Sequence, residues 1–505
     1  MFQRVWADGD LQSSFYKFDR GVRYLRVESM KWLAAGALLV LAGTAGCGNQ
    51  YRPVITPVPV TGPAAQPSSL TVVFSQPDLI PGSSATTIPC PTEAYASPGV
   101  VTLLDFAGDS IMAQATLGNG PLTFALDGGG ANAYSENCDN TISSVPITTT
   151  LQSKNVASST LLSSPIPPST TPAPPVPINA LAITGGQYVV EQGRDAIAAM
   201  TGSPPSLKQE IFVAPSVINV TGISTGQRVY SISQGNIAAG GNLTWGQCAN
   251  PSQVTVNGEA DAIEVATNNI SNRIPLGVCP VYGITSADGL RSFVMNRGSG
   301  TVTVINTQLN GLDTALNATG TINLCGGTTP CNAGPVYADL YTVGNLLVTS
   351  NYDNNTISVI DVSLDVYGND SPTFGKVLAT VPVGTNPAAV TILQDGSRVY
   401  VANQGDGTVT VVSMTSFTVL KTITLGGSPT PQPRSIVSTF NYPAGKVYVV
   451  GQNSPNVTII RTDTDVVSAT LQMQGNVVDI HTQFQYGGKT TNGITQSRSA
   501  GSGAP

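Results

Sequence analysis

The chain has 505 residues, only 10% of them charged, with 53 glycines, 36 prolines and a formal net charge of −7 at neutral pH. A charged fraction well under the usual ~25%, with abundant Gly, Thr, Ser, Val and Asn, is the profile of an extracellular all-β protein rich in turns. The acidic balance argues against a nucleic-acid partner, and a single histidine, His481, excludes metal sites built from several imidazoles.

Residues 1–29 show no periodicity and mix charges of both signs, as expected of an over-extended start. From Met30 the chain reads MKWLAAGALLVLAGTAGC: Lys31, an apolar run from Trp32 to Gly43, then small residues leading into Cys47. This is a secretory signal over 30–46, too short for a transmembrane helix. It resembles the bacterial lipoprotein type, which implies that Cys47 is lipidated and becomes the mature N-terminus, anchoring the protein to a membrane. Pro53, Pro57, Pro59, Pro63 and Pro67 make 47–69 an extended tether.

Strands begin at Leu70. LTVVFS (70–75), VVTLLD (100–105) and SIMAQATL (110–117) read as the second, third and outermost strands of a blade whose innermost strand is missing upstream. A repeated hairpin follows, clearest as VYVANQGDGTVTVV from Val399 to Val412. Two β-branched runs flank a turn of Asn403, Gln404, Gly405, Asp406 and Gly407, residues that tolerate tight or left-handed backbone. Copies recur at Ser292, Leu346 and Val447, with weaker ones at Ala133, Gln187 and Val229. The stretch PIPPSTTPAPPVP, 165–177, lies between repeats and reads as a stiff connector rather than a domain boundary. After the seventh copy, NVVDIHTQ (476–483) reads as a lone innermost strand. Strands from both termini then complete one blade, giving eight blades, or seven if the copy around Tyr188 or Tyr230 is not a blade. Residues 484–505, rich in Gly, Ser and Thr, are expected to be a disordered tail.

YVAN at 400–403 and VTSN at 348–351, with SVID at 358–361, resemble the YVTN-repeat β-propeller family of surface-layer and lactonase-like propellers. The resemblance spans roughly 70–483 and implies an all-β propeller of four-stranded antiparallel blades. The repeat anchors lie 42 to 63 residues apart, beyond a minimal blade of about 40–45 residues, so the surplus is loop.

With Cys47 set aside, six cysteines in an exported chain imply three disulfides. Blade order favours Cys90–Cys138, Cys248–Cys279 and Cys325–Cys331. The chain has no CxxC pair, and we expect no metal and no cofactor. Gly222-Ile-Ser-Thr-Gly226 matches a GxSxG pattern, but it joins two strands rather than a strand and a helix, so Ser224 reads as a turn residue. Asp353, Asn354 and Asn355 are oxygen-bearing turn residues rather than a Ca²⁺ loop. His481 reads as a packed strand residue.

Most of the extra length falls on one face of the ring: the loop 77–99, the connector 165–177, the insertion 235–257, the Cys325–Cys331 connector and GGSPTPQP at 426–433. Loops on a rigid scaffold carry function. The reading is a lipid-anchored, extracytoplasmic, non-catalytic binding or scaffolding module at the cell envelope. Its partner, a protein or glycan, would meet the loop-rich face, with Trp245 as an aromatic anchor. The alternatives are a lactonase-like hydrolase and a structural cell-surface protein.

Overall fold

The computed structural model describes residues 70–77, 97–106, 108–127, 129–137, 141–153, 159–161, 178–183, 186–191, 194–202, 204–223, 225–235, 256–328, 331–341, 344–427, 430–439, 445–451, 454–483 and 495–496. The expected leader, Cys47 and tether lie outside these.

Eight antiparallel sheets form a closed ring, each a blade numbered here in chain order. Their innermost strands are Asn476–Thr482 (blade 1), Pro121–Leu126, Ile178–Ile183, Val217–Gly222, Pro280–Thr285, Pro335–Tyr341, Pro387–Ile392 and Pro433–Ser438 (blade 8). Consecutive innermost strands are neighbours all the way round. The copies around Tyr188 and Tyr230 each build a blade of their own, so the count is eight. Outer-to-inner connectors and the turns between second and third strands open on one face, called upper; the other turns open on the lower face.

Blade 1 is shared by the two ends of the propeller. Leu70–Gln76 pairs with Pro98–Asp105 on one side and with Asn476–Thr482 on the other. The Gln483 amide donates to the Leu70 carbonyl at 2.7 Å, and the Gln483 side-chain amide donates to the Gly130 carbonyl at 2.9 Å. Two glycines permit the close approach. A Cβ on Gly475 (φ 84°) would lie 2.4 Å from the Gln76 carbonyl oxygen, and one on Gly130 (φ 62°) 2.2 Å from that of Gln483. Thr495–Gln496, in the expected tail, adds a short strand to the channel edge of Ile178–Ile183.

The repeated hairpin owes its sequence to more than its turn. Asn403 Nδ2 donates to Thr408 Oγ1 at 2.9 Å and Thr410 Oγ1 at 2.8 Å, stapling the second strand of blade 7 to the third. Asn137, Asn296 and Asn351 make the same pair of bonds in blades 2, 5 and 6.

A second device joins neighbouring blades at their lower ends. Tyrosines on second strands donate to an Asn or Asp in the next blade's third-to-outer turn: Tyr188 to Asn268 at 3.0 Å, Tyr230 to Asn310 at 3.4 Å, Tyr448 to Asp109 at 3.3 Å, and Tyr400 to Asp465. Each acceptor has positive φ, between 49° and 55°, a conformation Asn and Asp tolerate best after glycine. Two residues before the tyrosine, a cation reinforces the latch: Arg398 holds Asp465 at 2.7 Å and Lys446 holds Asp109 at 2.7 Å. Where the tyrosine is replaced, so is its partner. Phe293 meets Phe374 with ring centroids 6.5 Å apart, and Val348 shares an apolar cluster with Phe417, which keeps the left-handed turn (φ 55°).

Cys325 and Cys331 form the expected disulfide on the upper face. Cys279 is also disulfide-bonded. Since Cys325 and Cys331 take each other, its partner lies outside the described residues, as do Cys90 and Cys248; Cys138 lies outside them too.

Truncation before Asn476 removes the strand that closes blade 1 and should abolish the single cooperative melt. A chain ending at Gly487 should melt within a few degrees of the parent. Equal melting of the two would show that the termini do not close the ring. Alkali gives an independent check on the latches. Burial, then the Asp465 carboxylate that accepts its proton, pushes the Tyr400 hydroxyl far up, and burial pushes Tyr188 up to about 12. These groups contribute full stability below the unfolded tyrosine value, near pH 10, and lose it as pH rises through the folded values. Melting temperature should therefore fall above pH 10, less steeply in Tyr400→Phe.

Candidate functional site

The innermost strands bring polar side chains to the wall of the central channel, and most of them bridge blades. Asp479 of blade 1 is buried; its Oδ1 accepts from Ser435 of blade 8 at 2.8 Å and its Oδ2 from Thr123 of blade 2 at 3.0 Å. Asp339 of blade 6 accepts the Ile392 amide of blade 7 at 2.9 Å, and Asn219 of blade 4 accepts the Gly283 amide of blade 5 at 3.3 Å. Thr391 donates to Ser438 at 3.3 Å. These groups form a belt that fixes the inner strands, and the two carboxylates are engaged within the protein rather than aimed at a ligand.

His481 sits where a packed strand residue was expected. Its ring stands edge-on to Phe124, centroids 4.6 Å apart. Its Nε2 lies 3.3 Å from Asp479 Oδ2 without making a hydrogen bond. The GxSxG stretch is the turn between the inner and second strands of blade 4, closed by the Gly226 amide donating to the Ile223 carbonyl at 2.9 Å. Ser224 itself lies outside the described residues, and His481 belongs to blade 1. A nucleophile elbow is a strand-to-helix turn; this one joins two strands.

On the upper face, the Asp353-Asn354-Asn355 turn is consumed internally. Arg297 clamps Asp353 at 2.9 and 2.7 Å and lies over the Tyr352 ring, 5.1 Å from its centroid. Asn354 accepts from Thr356 at 2.7 Å and Asn355 from the Asn386 amide at 2.8 Å. Nearby, Tyr282 and Tyr337 on adjacent inner strands pack with centroids 4.6 Å apart, and the Cys325–Cys331 bridge lies against Gly300, whose carbonyl oxygen is 3.2 Å from Cys331 Sγ. Blades 5 and 6 thus carry a rigid, stapled sector in which Tyr282 and Tyr352 are buried and Tyr337 is half-buried. In the sequence, only their alignment across the repeats marks Arg297 and the tyrosine pair. Trp245 lies outside the described residues.

Two buried glutamates stand out because their carboxyls are held well above the usual carboxylate range. Glu136, in the second strand of blade 2, is fully buried and neither carboxylate oxygen has a hydrogen-bond partner. Burial alone raises its pKa well above the usual carboxyl value. Glu191 occupies in blade 3 the position of the stapling asparagines. It is pushed up to about 8, first by burial, then by its hydrogen bond to Glu210 and the charge of that group, against the pull of Arg194. Among the described residues, no group of three or more His, Cys, Asp or Glu side chains is placed to hold a metal ion.

Residues 369–481 match the family model for "Lactonase, 7-bladed beta-propeller". The match spans blades 7 and 8 and reaches the closing strand, in a ring with one blade more than that description. No curated protein matches the chain. The fold is similar to the crystal structure of Citrobacter koseri AztD (11% identity, 83% of this chain and 99% of that one, TM-score 0.50) and to apo AztD from the same organism (11%, 84% and 100%, 0.50). It is also similar to the dihydro-heme d1 dehydrogenase NirN in complex with DHE (13%, 83% and 75%, 0.54). At these identities the likeness is one of fold.

Glu136 and Glu191 set a pH dependence. Their folded values are raised above the ordinary 4.5, so their contribution to stability is full below pH 4.5 and is lost as pH rises through the folded values, about 8 for Glu191. Glu136→Gln should stabilise the protein at pH 7 by about 1–3 kcal/mol, the scale of an uncompensated buried polar group. It should be near neutral at about pH 4, below the ordinary carboxyl value. Denaturant titrations at the two pH values check both signs.

Proposed function

We propose that the protein is a lipid-anchored, extracytoplasmic β-propeller that binds or scaffolds a protein or glycan partner through its upper face. The observation that supports this best is the disulfide-stapled sector over blades 5 and 6, carried on a ring whose blades are latched to one another. Groups already fixed in position lose little entropy on binding. Cys47 carries the lipid, residues 30–46 are its leader, and the proline-rich tether 47–69 joins the lipid to the propeller. Trp245, in the insertion 235–257, is the aromatic anchor proposed for this face.

The match to a lactonase model supports a second reading, hydrolysis of a cyclic ester at the channel. Against it, Asp339 and Asp479 are already tied to neighbouring blades.

Mass analysis of the mature N-terminus should find a lipidated Cys47, and Cys47→Ala should be released from membranes; a free N-terminus at another residue would end the anchoring claim. Replacing 236–246 with a short Gly-Ser turn should leave the melt unchanged and deplete partners recovered from envelope extracts. Retention of every partner by that variant, or turnover of a lactone panel by the parent, would defeat the binding reading.

A further inference from the structure

Among the described residues, the lower face carries most of the large exposed apolar side chains. Of the thirteen large apolar side chains exposed among the described residues, eleven lie at this end, in third-to-outer turns or the first residues of outer strands. The two at the upper end are Phe212 and Val256. Soluble surfaces scatter such residues singly; concentration at one end marks an interaction surface.

The most prominent are Val366 and Tyr367, 92% and 84% exposed, at the tip of the loop between Thr356–Asp361 and Val377–Pro382 in blade 6. This tip is held rigidly. Asp365 Oδ1 accepts the Tyr367 and Asn369 amides at 2.8 and 2.9 Å, and the Asp365 amide donates to the Asn369 carbonyl at 2.7 Å. The loop is then tied to blade 5 by the buried Arg291, which binds Asp370 at 2.8 Å and the Gly368 carbonyl at 3.3 Å. A valine and a tyrosine are thus presented to solvent on an anchored support. Leu309, 72% exposed, stands on the neighbouring blade 5. The arc continues through the outer strands of blades 7 and 8 to Ile111 and Met112 of blade 1.

What covers this arc follows from where the chain enters the ring. Leu70 pairs with Asp105 at the lower end of blade 1, beside the turn that leads to Ile111. The stretch 47–69 therefore joins the propeller on the face that carries the apolar arc. Resting on the proposed lipidation of Cys47, we infer that the lower face docks on the lipid surface: the arc from blade 5 to blade 1 lies against the bilayer, Val366, Tyr367 and Leu309 enter its interfacial layer, and the upper face is turned away from the membrane. Tyrosine suits a headgroup boundary, with an apolar ring and a polar tip. The tip carries the acidic Asp365, so the attraction is apolar rather than electrostatic.

The test uses the mature chain with Cys47→Ala, which removes the anchor and leaves the face intact, floated with phosphatidylcholine vesicles and with vesicles containing phosphatidylglycerol. Weak flotation with both, unchanged by added salt, is expected. Leu309→Ser/Val366→Ser/Tyr367→Ser should lower the partition at least about ten-fold, and Phe212→Ser on the upper face should not change it. In a second measurement, Tyr367→Trp should give a blue-shifted emission on adding vesicles. No flotation of Cys47→Ala, flotation only with anionic vesicles at low salt, or equal flotation of the triple variant would overturn the proposal. So would a sedimentation shift showing that the arc pairs two copies of the chain instead. Mass analysis of the N-terminus reports on lipidation separately, so failure of the anchor and failure of the face are distinguishable.

Discussion

The pairing of Leu70–Gln76 with Asn476–Thr482 is the constraint on which the rest of the ring depends. A sheet edge offers unpaired amides and carbonyls, and a ring of radial sheets keeps only short, protected ones. Here the closure falls inside one blade, so the last innermost strand gains a full antiparallel partner instead of an end-to-end contact. The side-chain bonds of Asp479 to blades 2 and 8 then lock the closing strand to both neighbours. Closing the ring also makes the Tyr–Asx latches mutually supporting, because each sets the spacing at which the next can form.

The architecture was legible in the sequence because the propeller repeats its physics. The incomplete blade at 70–117 and the lone strand at 476–483 implied each other, and the structure pairs them. The Asn403 to Thr408 and Thr410 spacing, repeated from Asn296 and Asn351, was visible as well, but was read only as turn chemistry. Its second meaning, a side-chain staple between strands, needs the register to be known. The latches were hidden for a similar reason, since donor and acceptor lie in different blades, as with Tyr400 and Asp465. Phe417 in a left-handed turn would look like an error in isolation. Beside Val348 it is a paired replacement, an apolar contact where a hydrogen bond would have lacked its donor.

The candidate site was less legible. Channel-wall carboxylates such as Asp339 and Asp479 have the residue types of chemistry and the bonding of structure; only the partners distinguish the two. Glu136 is the opposite case. Nothing in YSENC, 134–138, marks it as a buried acid without a partner, because burial there comes from the packing of blade 2 against blade 3. A protein that keeps such a group tolerates a standing cost in stability at neutral pH.

The position of Leu70 has a mechanical consequence. The strand it begins lies between two antiparallel neighbours. A load applied through the preceding stretch, directed away from the lower face, runs along the strand axis. Such a load shears both ladders at once instead of peeling one bond at a time. The pull would have to break the hydrogen bonds of both neighbours together, so the propeller is strongest against force in the direction from which its own N-terminal stretch would tug.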